Sequence, residues 1–234
     1  MSWEIHTYSE NQQLVQALAS DISQKLQAAV VRQGQASLAV SGGSTPLALF
    51  ARLSKADIEW EKISVTLVDE RWVEEDSPDS NAGLVKSALL TGKASCARFV
   101  GLKTEQPDPF LAVGHVQERL HRLALPLDVV VLGMGEDGHT ASFFADSRGV
   151  ERAMDSSTSY LCAAVEPARA PHQRMTLTLP VILTAENLYL HIVGSRKRKV
   201  LDQAVADGAS GRLPIGQLLH HSDSLIQIYF AENS

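Results

Sequence analysis

A chain of 234 residues has room for one large domain or two small ones, and 44% hydrophobic with 21% charged residues is an ordinary globular balance. Disordered, collagen-like and disulfide-stapled designs are excluded, because a chain this long buries roughly 70% of its unfolded surface without staples. A formal net charge of −6 argues against broad binding of nucleic acid or anionic membrane, yet leaves room for a local cationic pocket.

In chain order, Met1-Ser2-Trp3-Glu4-Ile5-His6 carries neither a basic start nor an apolar stretch, so no secretory leader is expected. Leu14, Leu18, Ile22, Leu26 and Val30 recur at four-residue steps and predict an amphipathic helix over 11–33, closed by Gly34. The longest uncharged run, 33–51, is interrupted by Ser41-Gly42-Gly43-Ser44-Thr45-Pro46. It therefore predicts a strand at 37–40, a loop and a proline-opened helix at 46–53 instead of a membrane span.

A strand is expected at 63–68, helices at 82–90 and 110–124, and a nearly all-apolar strand at 127–132. Further strands are expected at 160–165, 187–193 and 224–230, with a helix at about 196–206 between the last two. Apolar strands alternating with helices predict one α/β domain over 1–234, built on a mainly parallel, Rossmann-like sheet with helices on both faces. Cys96 and Cys162 form no CxxC pair and predict buried filler in a reducing, cytoplasmic setting.

Ligands of open α/β sheets lie beyond the carboxyl ends of the strands, near helix N-termini. The unusual chemistry of this sequence collects at such places. In Ser41-Gly42-Gly43-Ser44-Thr45-Pro46, paired glycines let backbone N–H groups approach an anion at a helix N-terminus. A tight turn capped by Ser44 or Thr45 accounts for the same residues, and the Gly-Lys-Ser/Thr ending of a Walker A loop is missing. Asp69-Glu70-Arg71 sets three charges after a buried strand, which is costly unless they are solvated, paired or used.

Gly133-Met134-Gly135-Glu136-Asp137-Gly138-His139 satisfies GxGxxG after a strand. Polar His139, Thr140 and Ser142 stand where a dinucleotide-binding helix would pack, and no acid stands about 20 residues on at a strand end. NAD binding is therefore disfavoured. His139 is the one histidine in a glycine-rich strand exit, and the eight histidines show no HExxH or similar metal spacing. Gly194-Ser195-Arg196-Lys197 opens a helix with cations, which a first turn disfavours unless an anion joins them. Arg174 is a further candidate for that anion.

Six segments in this order resemble the 6-phosphogluconolactonase family: SGGSTP at 41–46, DERWV at 69–73, DSNAGLV at 79–85, GMGEDGHTASFF at 133–144, PHQRMTLTLP at 171–180 and GSRK at 194–197. Glucosamine-6-phosphate deaminases share the first loop, an Asp-Glu pair and a GxGxDGH segment. Arg71 after Asp69-Glu70, and Thr140-Ala141-Ser142-Phe143 after His139, favour the lactonase. Ala145-Asp146 stands where a proline is common in that family, a matter of loop geometry.

The resemblance implies a fold of the sugar-phosphate isomerase/deaminase type and hydrolysis of 6-phospho-D-glucono-1,5-lactone. Water must attack an ester carbonyl, and a base of ordinary histidine pKa suits that task at neutral pH. His139 is assigned as general base and Asp69 as the carboxylate orienting it. The phosphate is assigned to Gly42, Gly43, Ser44, Thr45, Arg71, Arg174 and Lys197, with Arg71 able to serve the lactone carbonyl instead. A phosphorylated lactone is the expected partner, with no metal, cofactor, nucleic acid or membrane. The alternatives are a deaminase or isomerase using Asp69 as base for a C2 proton, and a non-catalytic sugar-phosphate sensor.

Overall fold

The structure is a computed structural model that describes residues 3–208, 211–221 and 225–233. The first half of the chain runs β1 (Trp3–Glu10), α1 (Asn11–Gln33), β2 (Ala36–Val40), α2 (Leu47–Leu53), β3 (Ile63–Leu67), β4 (Asp69–Arg71), α3 (Asn81–Ala88), β5 (Arg98–Val100) and α4 (Pro109–Leu120). The second half runs β6 (Val129–Leu132), β7 (Ser147–Arg148), α5 (Val150–Met154), β8 (Cys162–Pro167), β9 (Arg174–Leu177), α6 (Leu179–Leu183), β10 (Asn187–Val193), α7 (Ser195–Asp207), α8 (Pro214–His221) and β11 (Ile226–Asn233).

Among the described residues, seven strands form one sheet in the order β1-β11-β10-β6-β2-β3-β5, and every neighbouring pair is parallel. Every residue of β2 and β6 is buried. Successive side chains on a strand point to opposite faces, so complete burial requires both faces of the sheet to be covered. α1 supplies part of that cover, turning Leu14, Leu18, Ile22, Leu26 and Val30 inward as their spacing predicts. Buried Asp128 ties the far end of the sheet together: it accepts from Ser37 N, Ser37 Oγ, Gln33 Nε2 and Arg32 Nη2. No described helix is long and apolar enough to cross a membrane.

The elements expected at 11–33 and 187–193 have the expected bounds, while others shift by a few residues. The strand expected at 160–165 starts later, at Cys162, and Ser224, the first residue of the last expected strand, lies outside the described residues. Two features depart further. Asp69–Arg71, read only as a charged segment after a strand, is itself a strand and joins β9, β8 and β7 in a second, antiparallel sheet ordered β4-β9-β8-β7. Cys162 is buried, its thiol pushed up to about 12 by desolvation, whereas Cys96 is exposed and so is not core filler.

Candidate active site

From β2 the chain steps through β3 to β5 on one side, while β6, β10 and β11 extend the sheet on the other. The order therefore reverses between β2 and β6. At such a switch point the loops leaving the two strands diverge and open a crevice. The cleft here is lined by residues 41–46 after β2 and 133–135 after β6, together with Asp69, Arg71, Asn81, His139, Arg174, His191 and Lys197. Every residue assigned to the site from sequence lies on this cleft. The two loops also bind each other, as Gly133 N donates to Ser41 Oγ at 3.1 Å.

The small sheet gathers the charged residues. Its register sets Arg71 directly opposite Arg174, and Asp69 opposite Thr176. Like charges facing each other across a ladder are destabilising unless a counterion serves both. Arg174 is 6% exposed, its guanidinium 3.6 Å from Asp69 Oδ2, and its Nε has no partner among the described residues. Burial lowers its pKa, the Arg71 charge adds to that, and Asp69 opposes it. Arg71 is anchored through Nη1 to the Asp79 carbonyl at 2.7 Å.

Asp69 is not the carboxylate beside His139. Its Oδ2 accepts from Ser142 Oγ at 2.6 Å, and Asn81 Nδ2 donates to its backbone carbonyl at 2.8 Å. The partner of His139 Nδ1 is Asp137 Oδ1 at 2.5 Å. The hydrogen bond from His139 holds Asp137 below the usual carboxylate range, so Asp137 is ionised and accepts. Nδ1 then carries the proton in the neutral ring, which leaves Nε2 as a free base. A Cβ on Gly135 would lie 2.3 Å from the His139 ring and 2.4 Å from Asp137 Oδ1, so the close pair requires glycine there.

The turn after Gly138 opens no helix. It closes through a Thr140–Phe143 bridge, which removes the dinucleotide reading of the glycine pattern. Ala141 is held at φ 49°, a left-handed conformation that costs a non-glycine residue roughly 1–3 kcal/mol, directly before the Ser142 that binds Asp69. Phe144 stacks on the His139 ring at 4.2 Å and lies under the Arg174 guanidinium at 5.0 Å, linking histidine and cation.

Of the four consecutive basic residues in α7, only Lys197 lines the cleft. Arg196 approaches Glu136 at 3.7 Å and Arg198 pairs with Asp202 at 2.9 Å. Lys197 Nζ reaches Thr45 Oγ1 at 3.4 Å, and its pKa is lowered by burial. Gly42 backs onto Asn81, whose Oδ1 would lie 1.9 Å from any added Cβ. The sequence assignment lacked Asn81 and His191, which line the cleft, and Asp137 and Ser142, which bind the lining residues His139 and Asp69.

Cations, hydroxyls and a histidine–aspartate pair at the switch point of a parallel sheet define an α/β enzyme site for an anionic small molecule. Residues 9–227 match the family described as glucosamine-6-phosphate isomerases/6-phosphogluconolactonase, and the chain belongs to it. It is 44% identical over 231 residues to a 6-phosphogluconolactonase of Rhizobium meliloti, covering 99% of this chain and 100% of the relative. A crystal structure of a 6-phosphogluconolactonase from Shewanella baltica superposes with a TM-score of 0.93 at 42% identity, covering 97% of each chain. A putative 6-phosphogluconolactonase from Neisseria gonorrhoeae gives 0.89 at 36% identity, over 98% of this chain and 100% of that one.

Proposed function

We propose that this chain hydrolyses 6-phospho-D-glucono-1,5-lactone to 6-phospho-D-gluconate, a step of the oxidative pentose phosphate pathway, with His139 as general base. The observation that carries the reading is that His139, held by Asp137, shares one cleft with clustered cations. The lactone is a cyclic ester, so water must lose a proton as its oxygen bonds to C1. His139 Nε2 takes that proton, and ionised Asp137 stabilises the imidazolium. The carbonyl electron pair moves onto oxygen, where backbone N–H groups and Arg71 stabilise it. On collapse the C1–ring-oxygen bond breaks, and the ring oxygen recovers the proton from His139 as a hydroxyl.

Gly42, Gly43, Ser44, Thr45, Arg174 and Lys197 hold the phosphate in this scheme, with Arg71 able to serve either end. Asp69 keeps Arg174 in place. No step calls on a metal or cofactor. Two free cysteines, one of them exposed, suit a reducing cytoplasmic setting.

The test is a pH-controlled lactone assay corrected for spontaneous hydrolysis. His139→Ala should lower kcat by about 10²–10⁴-fold with the fold intact by circular dichroism, and EDTA should leave the wild-type rate unchanged. A near-normal kcat in the variant would remove His139 from the mechanism. Turnover of glucosamine 6-phosphate in place of the lactone would favour the deaminase reading.

A further inference from the structure

His191 lies near the end of β10, two residues before the strand stops, and is 2% exposed. Leu190 and Ile192 on either side are fully buried. His191 is among the residues lining the cleft with Lys197 and Thr45, and its two ring nitrogens are buried with no hydrogen-bond partner among the described residues. A buried polar group without a partner is a standing cost that a leucine of similar bulk would avoid. An imidazole here therefore answers to something that occupies the cleft.

The surroundings define what that occupant is. Lys197 beside the ring can only donate, and among the described residues its hydrogen bond goes to the Thr45 hydroxyl at 3.4 Å. Lys197 belongs to the first turn of α7, a 13-residue helix whose N-terminal N–H groups carry positive potential. Lys197 and the helix N-terminus turn donors and positive charge toward the cleft against the opposing charge of Glu136, and the Thr45 hydroxyl can donate as well as accept. An acceptor-rich anion is the group that satisfies them together.

We propose that His191 is a further binding residue, donating a ring N–H to the phosphoryl group of the substrate beside Lys197. The proposal deepens the lactonase reading above and rests on it. Burial and the Lys197 charge push the imidazolium pKa down to about 4, so at neutral pH the ring is neutral with one N–H to give. Neutrality suits the role, since Lys197 supplies the charge and His191 adds direction. The remaining ring nitrogen can accept from water or from a substrate hydroxyl.

Steady-state kinetics of His191→Leu, His191→Gln and Lys197→Ala on 6-phosphogluconolactone and on unphosphorylated glucono-1,5-lactone test it. In His191→Leu the ratio of kcat/KM for the phosphorylated over the unphosphorylated substrate should fall by about tenfold or more. The loss should sit mainly in KM, and the inhibition constant for inorganic phosphate should rise by a similar factor. His191→Gln, which keeps a neutral donor of similar reach, should recover part of the ratio. Equal losses on both substrates, or an unchanged ratio in His191→Leu, would overturn the proposal.

Lys197→Ala separates the two levels of the argument. If it lowers the ratio while His191→Leu does not, the lactonase cleft stands and the His191 inference fails. If neither lowers it, the phosphate location fails with it. Should the leucine variant not fold, wild-type protein labelled with 15N-histidine gives the answer. Saturating inorganic phosphate should shift the His191 ring N–H resonance, assigned by its absence in His191→Gln, and slow its exchange with water. An unmoved resonance at saturation would refute the contact.

Discussion

Asp137 stands two residues before His139 and holds its Nδ1, while Asp69 commits its side chain to Ser142 and Arg174. The two carboxylates should therefore fail differently when each loses its charge. In Asp137→Asn the amide can donate to Nδ1, which favours a proton on Nε2 and removes the lone pair that faces water. Loss of a positioned base is worth about 10²–10⁴-fold, so kcat should fall within that range with KM little changed. Asp69→Asn leaves the imidazole alone and unbalances Arg174, so its loss should appear chiefly in KM. Measuring kcat and KM for both variants decides the assignment, and the reverse pattern would return the orienting role to Asp69. The local signal for Asp137 was present in the sequence, an acid at i−2 in a glycine-bounded turn. The direction of the Asp69 side chain depends on a strand pairing that spacing along the chain does not encode.

At the scale of elements, the entry to α3 is fastened by one side chain from β4. Glu70 accepts from Arg71 N, Asn81 N, Ala82 N and Ser80 Oγ, while Ser80 caps the same helix through Gly83 N. Burial raises the Glu70 pKa, and the three backbone donors only partly offset it. Through Asn81, which donates to the Asp69 carbonyl, this fastening reaches the cleft. Glu70→Ala should cost about 2–4 kcal/mol in urea unfolding, because it leaves several buried donors without an acceptor. It should also weaken substrate binding, whereas a ΔG within 0.5 kcal/mol of wild type would show that water replaces the carboxylate. The same elements explain what could be read from sequence. Helix α1 and strand β10 carry long, regular apolar patterns that tertiary contacts reinforce, and their bounds follow directly. Strands β4, β7 and β9 have two to four residues each and include Asp69, Glu70, Arg71, Arg148 and Arg174. Their pairing is set by the partner across the ladder, so periodicity gave no sign of the second sheet. Among the described residues strand β1 pairs only with β11 at the sheet edge, and its half-solvated residues lack the apolar run that marks a central strand.

For the whole molecule, a buried neutral histidine ties stability to pH. The unfolded chain protonates an ordinary histidine near pH 6.5, whereas burial and Lys197 hold folded His191 neutral down to about 4. Between those values the unfolded state binds more protons than the folded state, so stability must fall as pH drops from 6.5 toward 4. Above 6.5 both states are neutral at this ring, and it contributes no slope. The full difference amounts to about 3 kcal/mol once both states are protonated. Two carboxylates act beside it with different signs. Glu70, its pKa raised by burial, gains stability as it is protonated and opposes the histidine. Asp137, its pKa lowered by His139, loses stability only at lower pH, as the medium falls through its depressed folded value. Comparing wild type with His191→Leu isolates the one ring, since the other groups are common to both. Urea unfolding from pH 7.5 to 4.5 should show the wild type losing stability below about pH 6.5, with a shallower loss in the variant. At pH 7.5 the leucine variant should be at least as stable as wild type, because two unpartnered buried nitrogens are gone. Parallel slopes in the two proteins would assign the acid sensitivity to other groups. A clear loss of stability in the variant at pH 7.5 would mean that the imidazole is held by contacts in the unliganded fold, and not kept there for a ligand.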